Sequence, residues 1–316
     1  MNIDALLIAG PTASGKSSLA TALAEALNGT IINADSMQVY RELRILTARP
    51  TPADEARVPH LLYGVRSAAE PASVAWWLGE ARKAIDAVRR AGRLPILCGG
   101  TGLYCAALRE GIAPVPDIPA FIRNEARGLL AELGAAGLHG RLAVEDPVTA
   151  SKLRPSDSQR IARAWEVWRA TGIGLADWQA QPTKSAPGLR LAGVLLDPPR
   201  TALRDAIAAR FRAMLQAGAV EEVRQLVAAG LPPSLPAMRA HGVPELSAYL
   251  RGDFTLPEAE ARAIAATSRY TKRQATWFRH HPLADQTYTI HARWGDSTQF
   301  SGAIRFDLIR FVQNAG

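Results

Sequence analysis

Residues 10–17 read GPTASGKS, the phosphate-binding pattern G-x-x-x-x-G-K-[ST], and this pattern stands between an apolar run and a helical pattern. The run from Ala5 to Ala9 predicts a buried strand and residues 18–27 predict a helix, which is the strand–loop–helix context that such a loop requires. The two glycines let successive backbone N–H groups face one anion, and the helix N-terminus adds its positive dipole end. Lys16 supplies a positive charge and the Ser17 hydroxyl suits Mg²⁺. The sequence therefore predicts a site for a di- or triphosphate.

The overall composition is that of an ordinary globular protein. Of the 316 residues 48% are hydrophobic and 21% are charged, which suffices for a large core and a second folded unit. The two cysteines, Cys98 and Cys105, are too few for a disulfide framework or a metal cluster, which favours a reducing compartment. The sequence contains no run of 18 apolar residues and no leader pattern, so we expect a cytoplasmic protein without a membrane segment.

The positive charge is concentrated outside the part of the chain that carries the phosphate loop. The formal net charge is +8, with 12 basic and 11 acidic residues in 1–117 but 25 basic and 18 acidic residues in 118–316. A basic surface of this kind favours a polyanionic partner such as nucleic acid. The alternative is that an arginine-rich composition covers the helices with solvated side chains.

Strand and helix patterns alternate along the first 117 residues. After the first strand and helix, residues 30–34 and 94–98 predict two more strands, and residues 73–91 predict a helix between them. This alternation is typical of a parallel sheet with covered faces, in which ligands bind at the carboxyl ends of the strands. We therefore expect the phosphate loop, Asp35 to Gln38 and Gly99 to Gly102 to face one crevice.

Two breaks divide the rest of the chain. Residues 114–119 (PVPDIP) and 181–188 flank a region with helical patterns alone, and residues 191–196 predict a further strand. Beyond this strand we expect helices at about 201–217, 219–229, 244–251 and 257–279. The predicted fold class is α/β: a P-loop core with a parallel sheet (1–116 and 189–316), an inserted all-helical domain (117–188) and C-terminal helices.

The clearest helix of the inserted region follows Pro155. Ser156 or Asp157 is suited to be its N-cap, and Gly172 is suited to end it. An apolar stripe on this helix contains two tryptophans, which indicates core packing rather than a platform for base stacking. The members of the stripe are Ile161, Ala164, Trp165 and Trp168.

Two aspartates follow predicted strands and could carry chemistry. Asp35 stands where a strand meets the phosphate crevice, so it is a candidate for a Mg²⁺ ligand, a general base, a hydroxyl-binding group or merely the cap of a turn. Asp197 ends an apolar run that resembles a Walker B element, but Pro198 and Pro199 follow it, and a strand-end cap explains it equally well.

The last long predicted helix combines basic and aromatic residues. Such a combination suits a phosphate backbone with exposed bases, while a solvated helix face is the competing interpretation. The basic residues are Arg262, Arg269, Lys272, Arg273 and Arg279, and the aromatic ones are Tyr270, Trp277 and Phe278. The neighbouring His280 and His281 lack a partner at metal-binding spacing and are expected at the surface.

Taken together, these segments resemble the bacterial tRNA dimethylallyltransferase (isopentenyltransferase) family over nearly the whole chain. The matching stretches are GPTASGKS (10–17), INADSMQVYREL (32–43), TARP (47–50), PH (59–60), GGTGLY (99–104), DSQRIARAWEV (157–167) and TKRQATWFR (271–279). The phosphate loop alone is generic, whereas DSMQVY, GGTGLY and KRQxTWF in this order are specific. The resemblance implies transfer of a dimethylallyl group from dimethylallyl diphosphate to N6 of the adenosine 3′ of the anticodon, in tRNAs that read U-initial codons.

The resemblance also implies roles for individual residues, with Asp35 and Thr101 as catalytic residues and the anticodon stem-loop of tRNA as partner. The residues implied to bind the diphosphate are Gly10, Pro11, Thr12, Ala13, Ser14, Gly15, Lys16 and Ser17. Ser17 is also implied to bind the cofactor Mg²⁺. The residues implied to contact tRNA are Asp35, Ser36, Met37, Gln38, Thr101, Arg123, Gln159, Arg160, Ile161, Ala162, Arg163, Arg239, Ala240, His241, Gly242, Val243 and Pro244. A monomer is expected.

The chain departs from the family pattern at three places. Residues 242–245 (GVPE) stand where a Gly-Tyr-Arg pattern is usual, Ser268 where arginine is common, and Leu46 where glycine usually precedes Thr47. These changes leave the transfer chemistry intact and affect the expected C-terminal tRNA contacts. Two rival interpretations are a small-molecule kinase with ATP on the loop and an RNA-binding NTPase-like module, for which Asp197 would be the only candidate Walker B acid.

Overall fold

The computed structural model describes residues 3–181, 188–295 and 302–315, with the backbone alone for 302–304. Within these residues six strands form one sheet: β1 (Ala5–Ala9), β2 (Gly29–Asn33), β3 (His60–Leu61), β4 (Leu94–Gly99), β5 (Leu191–Leu196) and β6 (Gln286–Ile290). Their order across the sheet is β3-β2-β4-β1-β5-β6, and each neighbouring pair is parallel. The predicted α/β class with a parallel sheet is confirmed.

Helices connect the strands and follow the last of them. In chain order they are α1 (Lys16–Ala26), α2 (Pro52–Arg57), α3 (Val74–Arg90), α4 (Gly102–Glu110), α5 (Ala120–Glu145), α6 (Pro147–Ser151), α7 (Ser158–Thr171), α8 (Leu175–Ala180), α9 (Arg200–Gln216), α10 (Ala219–Ala228), α11 (Val243–Arg251), α12 (Leu256–His280) and α13 (Gly302–Asn314). Among the described residues, no helix has both the length and the apolar character needed to cross a membrane.

The sheet is built around β1, which pairs with β4 on one side and β5 on the other. All five residues of β1 are buried, as the continuous apolar run ALLIA of a covered parallel strand requires. One face of the sheet packs in a core cluster with α1 and α13, which contribute Leu23 and Leu308. On α3, Trp77 is fully buried, stacks on Tyr104 at a centroid distance of 4.1 Å and donates its indole N–H to Asn33 O.

Two compact units divide the chain: Met1–Arg109 with Gly188–Gly316, and Glu110–Pro187. The second unit is helical in its described part, and its core is formed by α5, α6 and α7, with Leu138, Leu142 and Ile161 fully buried. The predicted caps of α7 are present, because the Asp157 side chain accepts the N–H of Arg160 and Gly172 has φ 67°. Trp165 is buried and Trp168 packs against the same cluster, which confirms the prediction that this pair is core.

Several elements differ from the sequence-based expectation. The helical unit begins at Glu110 rather than 117, because α4 ends there and Gly111 (φ 80°) starts a segment without regular structure. The strands β3 and β6 were not predicted, since β3 has two residues and β6 (QTYTI) is mostly exposed or half-buried. The helices α2, α4 and α13 were also not predicted.

Candidate functional site at the carboxyl ends of three strands

The segments that follow β1, β2 and β4 meet at one edge of the sheet. These three strands are neighbours, so the phosphate loop, residues 34–38 and residues 100–102 leave the sheet side by side. The Thr101 Oγ1 accepts the backbone N–H of Ser36 at 3.0 Å and lies 3.3 Å from Ser36 Oγ. The predicted convergence of three strand ends is thereby confirmed.

The phosphate loop has a tightly wound backbone. Ala13 and Gly15 have positive φ angles of 65° and 91°, and α1 begins at Lys16 directly after this turn. Lys16 Nζ donates to Pro11 O at 2.7 Å, which folds the side chain back over the loop. Positive φ at Ala13 is strained for a residue with a Cβ, so the surrounding contacts have to maintain this conformation.

Those contacts come from the segment after β6. The Arg293 Nε–H donates to Ala13 O, and the Trp294 backbone N–H donates to Ser14 O, both at 2.9 Å. The Trp294 carbonyl also lies so close to Gly15 that a Cβ at that position would collide with it. Arg293 and Trp294 therefore help to hold the phosphate loop, and this contact was not predicted from the sequence.

A cavity of about 360 Å³ opens at this edge of the sheet. Its polar wall contains Lys16, Asp35 and Arg210. Helix α9 contributes an apolar wall, because Ile207, Phe211 and Met214 recur at helical spacing on the cavity side. The predicted site residues that line the cavity are Thr12, Lys16, Ser17, Asp35, Ser36, Met37, Gln38, Arg239, Ala240 and His241.

Asp35 is held by a network of short bonds. Its N–H donates to Asn33 Oδ1 at 2.8 Å, and its carboxylate Oδ1 accepts the N–H of Met37 at 2.9 Å. One carboxylate oxygen of Asp35 thus caps the turn that follows the strand, which is one of the roles considered for this residue. The second carboxylate oxygen, Oδ2, accepts no hydrogen bond from the described part of the chain, so it is available to a ligand in the cavity.

Thr101 differs from Asp35 in its surroundings. It is not among the residues that line the cavity, and its hydroxyl oxygen is engaged with Ser36. Thr101 therefore fixes the backbone next to Asp35 in this structure. Its predicted part in catalysis stays a prediction.

Gln274 joins two of the three loops and was missed by the sequence analysis as a site residue. Its side-chain oxygen accepts the N–H of Thr12 at 2.9 Å, and its side-chain nitrogen donates to Gly100 O at 2.8 Å. The side chain is 5% exposed. The only sequence signal was its place in the KRQxTWF motif, which gives no information about its partners 262 and 174 residues away.

The GGTG turn requires its glycines because neighbouring chains approach closely. A Cβ at Gly99 would collide with the carbonyl of Ala34, and one at Gly102 would collide with the Trp277 ring. Trp277 is half-buried and stacks on His281 at a centroid distance of 3.9 Å. The tryptophan of the motif therefore packs beneath the turn, and Phe278 is buried, so neither aromatic ring is free for the predicted base stacking.

Burial dominates the electrostatics of the cavity. It lowers the pKa of Lys16 to about 8, against the opposing influence of Cys98 and Asp35. Burial likewise lowers the pKa of Arg210, which Asp35 partly offsets. The thiols of Cys98 and Cys105 have pKa values raised by burial to about 11 and about 12, so both remain protonated and unreactive near neutral pH. Lys16 and Arg210, together with Arg239 and Arg273 of the same lining, thus make a cavity that favours an anion.

The lowered pKa of Lys16 predicts pH-dependent anion binding. Above a pH of about 8 the empty site loses the Lys16 charge, so the affinity for inorganic pyrophosphate should fall by up to about tenfold per pH unit. We expect calorimetric titrations of the natural protein and of Lys16→Met to show affinities that converge as pH rises. The ionisation of pyrophosphate itself affects both proteins alike, so it cancels in the ratio of their affinities. A ratio that stays constant with pH would contradict the prediction.

Two predicted tRNA contacts need correction. The side chains of Ile161 and Val243 are fully buried, because each supplies an apolar position on the core side of its helix. They cannot contact an RNA from these positions. In contrast, Arg239, Pro244, Gln159 and Arg160 are exposed, and Arg123 and Arg163 are half-buried. Ala162 packs partly against the helical core, and the buried Gly242 (φ 94°) is the N-cap of α11.

Helix α12 carries an exposed row of cations. Arg269, Lys272, Arg273 and Arg279 are exposed, while Arg262 lies 4.1 Å over the Phe254 ring. Its aromatic residue Tyr270 lines the cavity and contacts His241 at a centroid distance of 4.8 Å. The helix therefore presents most of its charge to solvent, while Tyr270 and Arg273 line the cavity.

A magnesium ion would depend on few protein ligands. The described residues contain no group of three or more His, Cys, Asp or Glu side chains suited to hold a metal. Ser17 is exposed at the start of α1 and lines the same cavity as Asp35. This donor set fits Mg²⁺, which retains waters and binds through few protein oxygens together with substrate phosphates.

Comparison with known proteins places nearly the whole chain in one family. The family model described as IPP transferase matches residues 38–281, and the model described as isopentenyl transferase matches residues 3–61. The tRNA dimethylallyltransferase of Granulibacter bethesdensis is 58% identical over 311 residues, which cover 98% of each chain. That of Acidiphilium cryptum is 58% identical over 309 residues, which cover 97% of this chain and 94% of the other.

Solved structures agree with these relatives. The tRNA isopentenylpyrophosphate transferase of Bacillus halodurans is 31% identical with a TM-score of 0.68, covering 98% of this chain and 96% of that one. A eukaryotic dimethylallyltransferase acting on tRNA is 25% identical with a TM-score of 0.81, covering 99% of this chain and 80% of that one. The fold is shared along the full length of the chain.

Proposed function

Because the chain belongs to the tRNA dimethylallyltransferase family, we propose that it transfers the dimethylallyl group of dimethylallyl diphosphate to N6 of the adenosine 3′ of the anticodon, in tRNAs that read U-initial codons. The observation that carries the proposal is one cavity lined by the phosphate loop, by Asp35 and by an apolar wall. Such a cavity accommodates a diphosphate, an allylic chain and an exocyclic amine at once. The product is the prenylated adenosine, with diphosphate released.

The cations of the cavity act on the leaving group. The allylic C–O bond breaks as negative charge develops on the diphosphate, and Lys16, Arg210 and the loop amides neutralise that charge. The residues 10–17 hold the diphosphate, and the apolar residues of α9 contact the hydrocarbon chain. A Mg²⁺ ion held by Ser17 and the diphosphate oxygens would add a further positive charge when bound.

Asp35 acts on the acceptor. The lone pair of the N6 amine is delocalised into the adenine ring, so the amine is a poor nucleophile on its own. Asp35 accepts an N6–H through its second carboxylate oxygen and orients the amine towards the allylic carbon. As the N–C bond forms and the allylic C–O bond to the diphosphate breaks, the surplus N6 proton passes to the Asp35 carboxylate. The base has to leave its stack to reach this site, which an already single-stranded anticodon loop facilitates.

The tRNA is proposed to contact several basic or polar groups. These are the exposed cations of α12, the segment 239–244 apart from the buried side chain of Val243, and Arg123, Gln159, Arg160 and Arg163 of the helical unit. Half or more of the contacts to a nucleic acid usually go to its backbone, which suits arginine and polar side chains. A monomeric state and a cytoplasmic location stay predictions.

The decisive experiment compares two possible donors, dimethylallyl diphosphate and ATP. The purified chain is incubated with Mg²⁺, unmodified tRNA and either dimethylallyl diphosphate or ATP, and the digested nucleosides are weighed by mass spectrometry. We expect prenylated adenosine with the prenyl donor alone. ATP turnover without RNA would favour a small-molecule kinase, and nucleotide-dependent RNA binding without a covalent product would favour the NTPase-like alternative. The latter is already disfavoured because Asp197 does not line the cavity.

Binding of tRNA should depend strongly on salt. If about five basic groups meet phosphates, the logarithm of the affinity falls against the logarithm of the salt concentration with a slope of about −4 to −5 on a duplex stem. Arg269→Gln should reduce this slope by about one. Arg305→Gln, which removes an exposed arginine of α13, is the matched control and should leave it unchanged. A slope near zero for the natural protein would mean that the cations of α12 are merely solvated.

A further inference from the structure

We infer that Glu222 is a positioning residue that holds the loop of residues 43–48 against the cavity and so shapes the wall that contacts the prenyl chain. The inference rests on the proposed function, since it names what determines how the donor is held. Glu222 lies on α10, does not line the cavity and belongs to none of the segments that resemble the family motifs. Its influence therefore has to pass through the loop.

The carboxylate of Glu222 binds three consecutive backbone amides. Its Oε2 accepts the N–H of Arg44 at 2.7 Å and of Ile45 at 2.6 Å, and its Oε1 accepts the N–H of Leu46 at 2.9 Å. These partners are 176–178 residues away along the chain. Hydrogen bonds to a charged group are stronger than neutral ones, and three on one side chain define the course of the loop.

The following residues of the same loop are bound by a residue of the site. Gln38 donates its side-chain amide to Thr47 O at 2.8 Å and to Ala48 O at 3.1 Å. Ala48 has φ 49°, a left-handed conformation that is unfavourable for a residue with a Cβ. Two side chains, Glu222 and Gln38, therefore hold successive parts of the loop in a conformation that it would not retain unaided. Gln38 itself lines the cavity, so one of the two side chains that hold this loop belongs to the site.

The loop delivers an apolar side chain to the cavity. Leu46 lines the cavity together with Phe211 of α9. A Cβ placed on Gly242 would lie 2.8 Å from Leu46 Cδ2 and 3.1 Å from Phe211 Cε2, so these two side chains meet at the glycine. A shift of the loop would displace Leu46 from Phe211 and open this wall. The phosphate loop lies on other elements, β1 and α1, and does not depend on Glu222.

This separation makes the role testable by comparing two ligands. Glu222→Ala should raise the Kd of dimethylallyl diphosphate by about tenfold and leave the Kd of inorganic pyrophosphate unchanged. A change of about tenfold is what the loss of one methylene-sized contact in an apolar pocket costs. Glu222→Gln, which retains an accepting oxygen, should give an intermediate value. Discrimination against geranyl diphosphate should weaken in the same order, because the wall no longer limits chain length. Glu221→Ala, on the adjacent exposed position of α10, is the matched control and should match the natural protein.

A second variant separates positioning from general destabilisation. Leu46→Ala leaves the Glu222 bonds in place and should reproduce the loss of donor affinity with pyrophosphate binding intact, and thermal unfolding of each variant reports stability. If Glu222→Ala weakens both ligands equally, or weakens neither, the inference is overturned. Failure of the proposed function is distinguishable, because the natural protein would then form no prenylated adenosine although both binding measurements could still be made.

Discussion

Replacing Asp35 by asparagine should lower the single-turnover rate of prenyl transfer by ~10²–10⁴, the range for a positioned acid or base. The amide is close in size to the carboxylate, and its oxygen can still accept the N–H of Met37, so the turn after β2 should persist. The amide cannot take up a proton or carry the charge that orients the N6 amine. Affinities for tRNA and for dimethylallyl diphosphate should therefore change little. Rapid-quench measurements of prenylated adenosine, together with binding titrations, check both halves of the prediction.

Asp197 provides the matched control for this experiment. It is also an aspartate directly after a strand of the same sheet, β5, but its backbone N–H extends the pairing to Ile290 and it does not line the cavity. Asp197→Asn should leave the transfer rate unchanged. A normal rate for Asp35→Asn would remove Asp35 from the proposed chemistry, and an equal loss of rate in Asp197→Asn would show that the effect is not specific to the cavity.

Gln274→Leu should both destabilise the fold and weaken diphosphate binding. The leucine leaves the N–H of Thr12 and the carbonyl of Gly100 without their present partner, and each unsatisfied buried group costs about 1–3 kcal/mol. We expect the free energy of unfolding to fall by about 2–6 kcal/mol in denaturant titrations, which is the sum of the two costs. The affinity for pyrophosphate should fall as well, because the Thr12 amide belongs to the loop that would bind it.

A charge-altering variant tests the geometry of the same contact. Gln274→Glu retains an acceptor for Thr12 but places a carboxylate oxygen against the carbonyl of Gly100, so it should also destabilise the protein. Thr276→Ala changes an exposed residue two positions along α12 and should leave stability unchanged. If Gln274→Leu unfolds with the same denaturant midpoint as the natural protein, the two hydrogen bonds contribute little to stability.

The site could be predicted where local rules apply. A strand ending in a glycine-rich turn before a helix has one geometry, and parallel strands end at one edge of a sheet, so the positions of Lys16 and Asp35 followed from neighbouring residues. The caps of α7 were equally local. In each case the signal lay within about ten residues of the structure that it determined.

The residues that brace the site could not be found in this way. Gln274 and Glu222 bind backbone atoms of loops more than 170 residues away, and a bond to a main-chain amide leaves no pattern in the partner's sequence. The strand β6 was missed for a related reason, because its exposed side chains lack an apolar period and its pairing with β5 defines it. Long-range contacts with backbone atoms are thus the part that requires coordinates.

The central place of β1 has a consequence for biosynthesis. This strand leaves the ribosome before the other five described strands, yet its two neighbours are β4 and, after about 90 further residues, β5. At roughly 5–20 residues per second, the interval between the emergence of β1 and of its second partner amounts to about 10–40 s. Throughout that time an apolar segment keeps an unpaired edge open, the kind of surface that nascent chains use to aggregate and that chaperones cover.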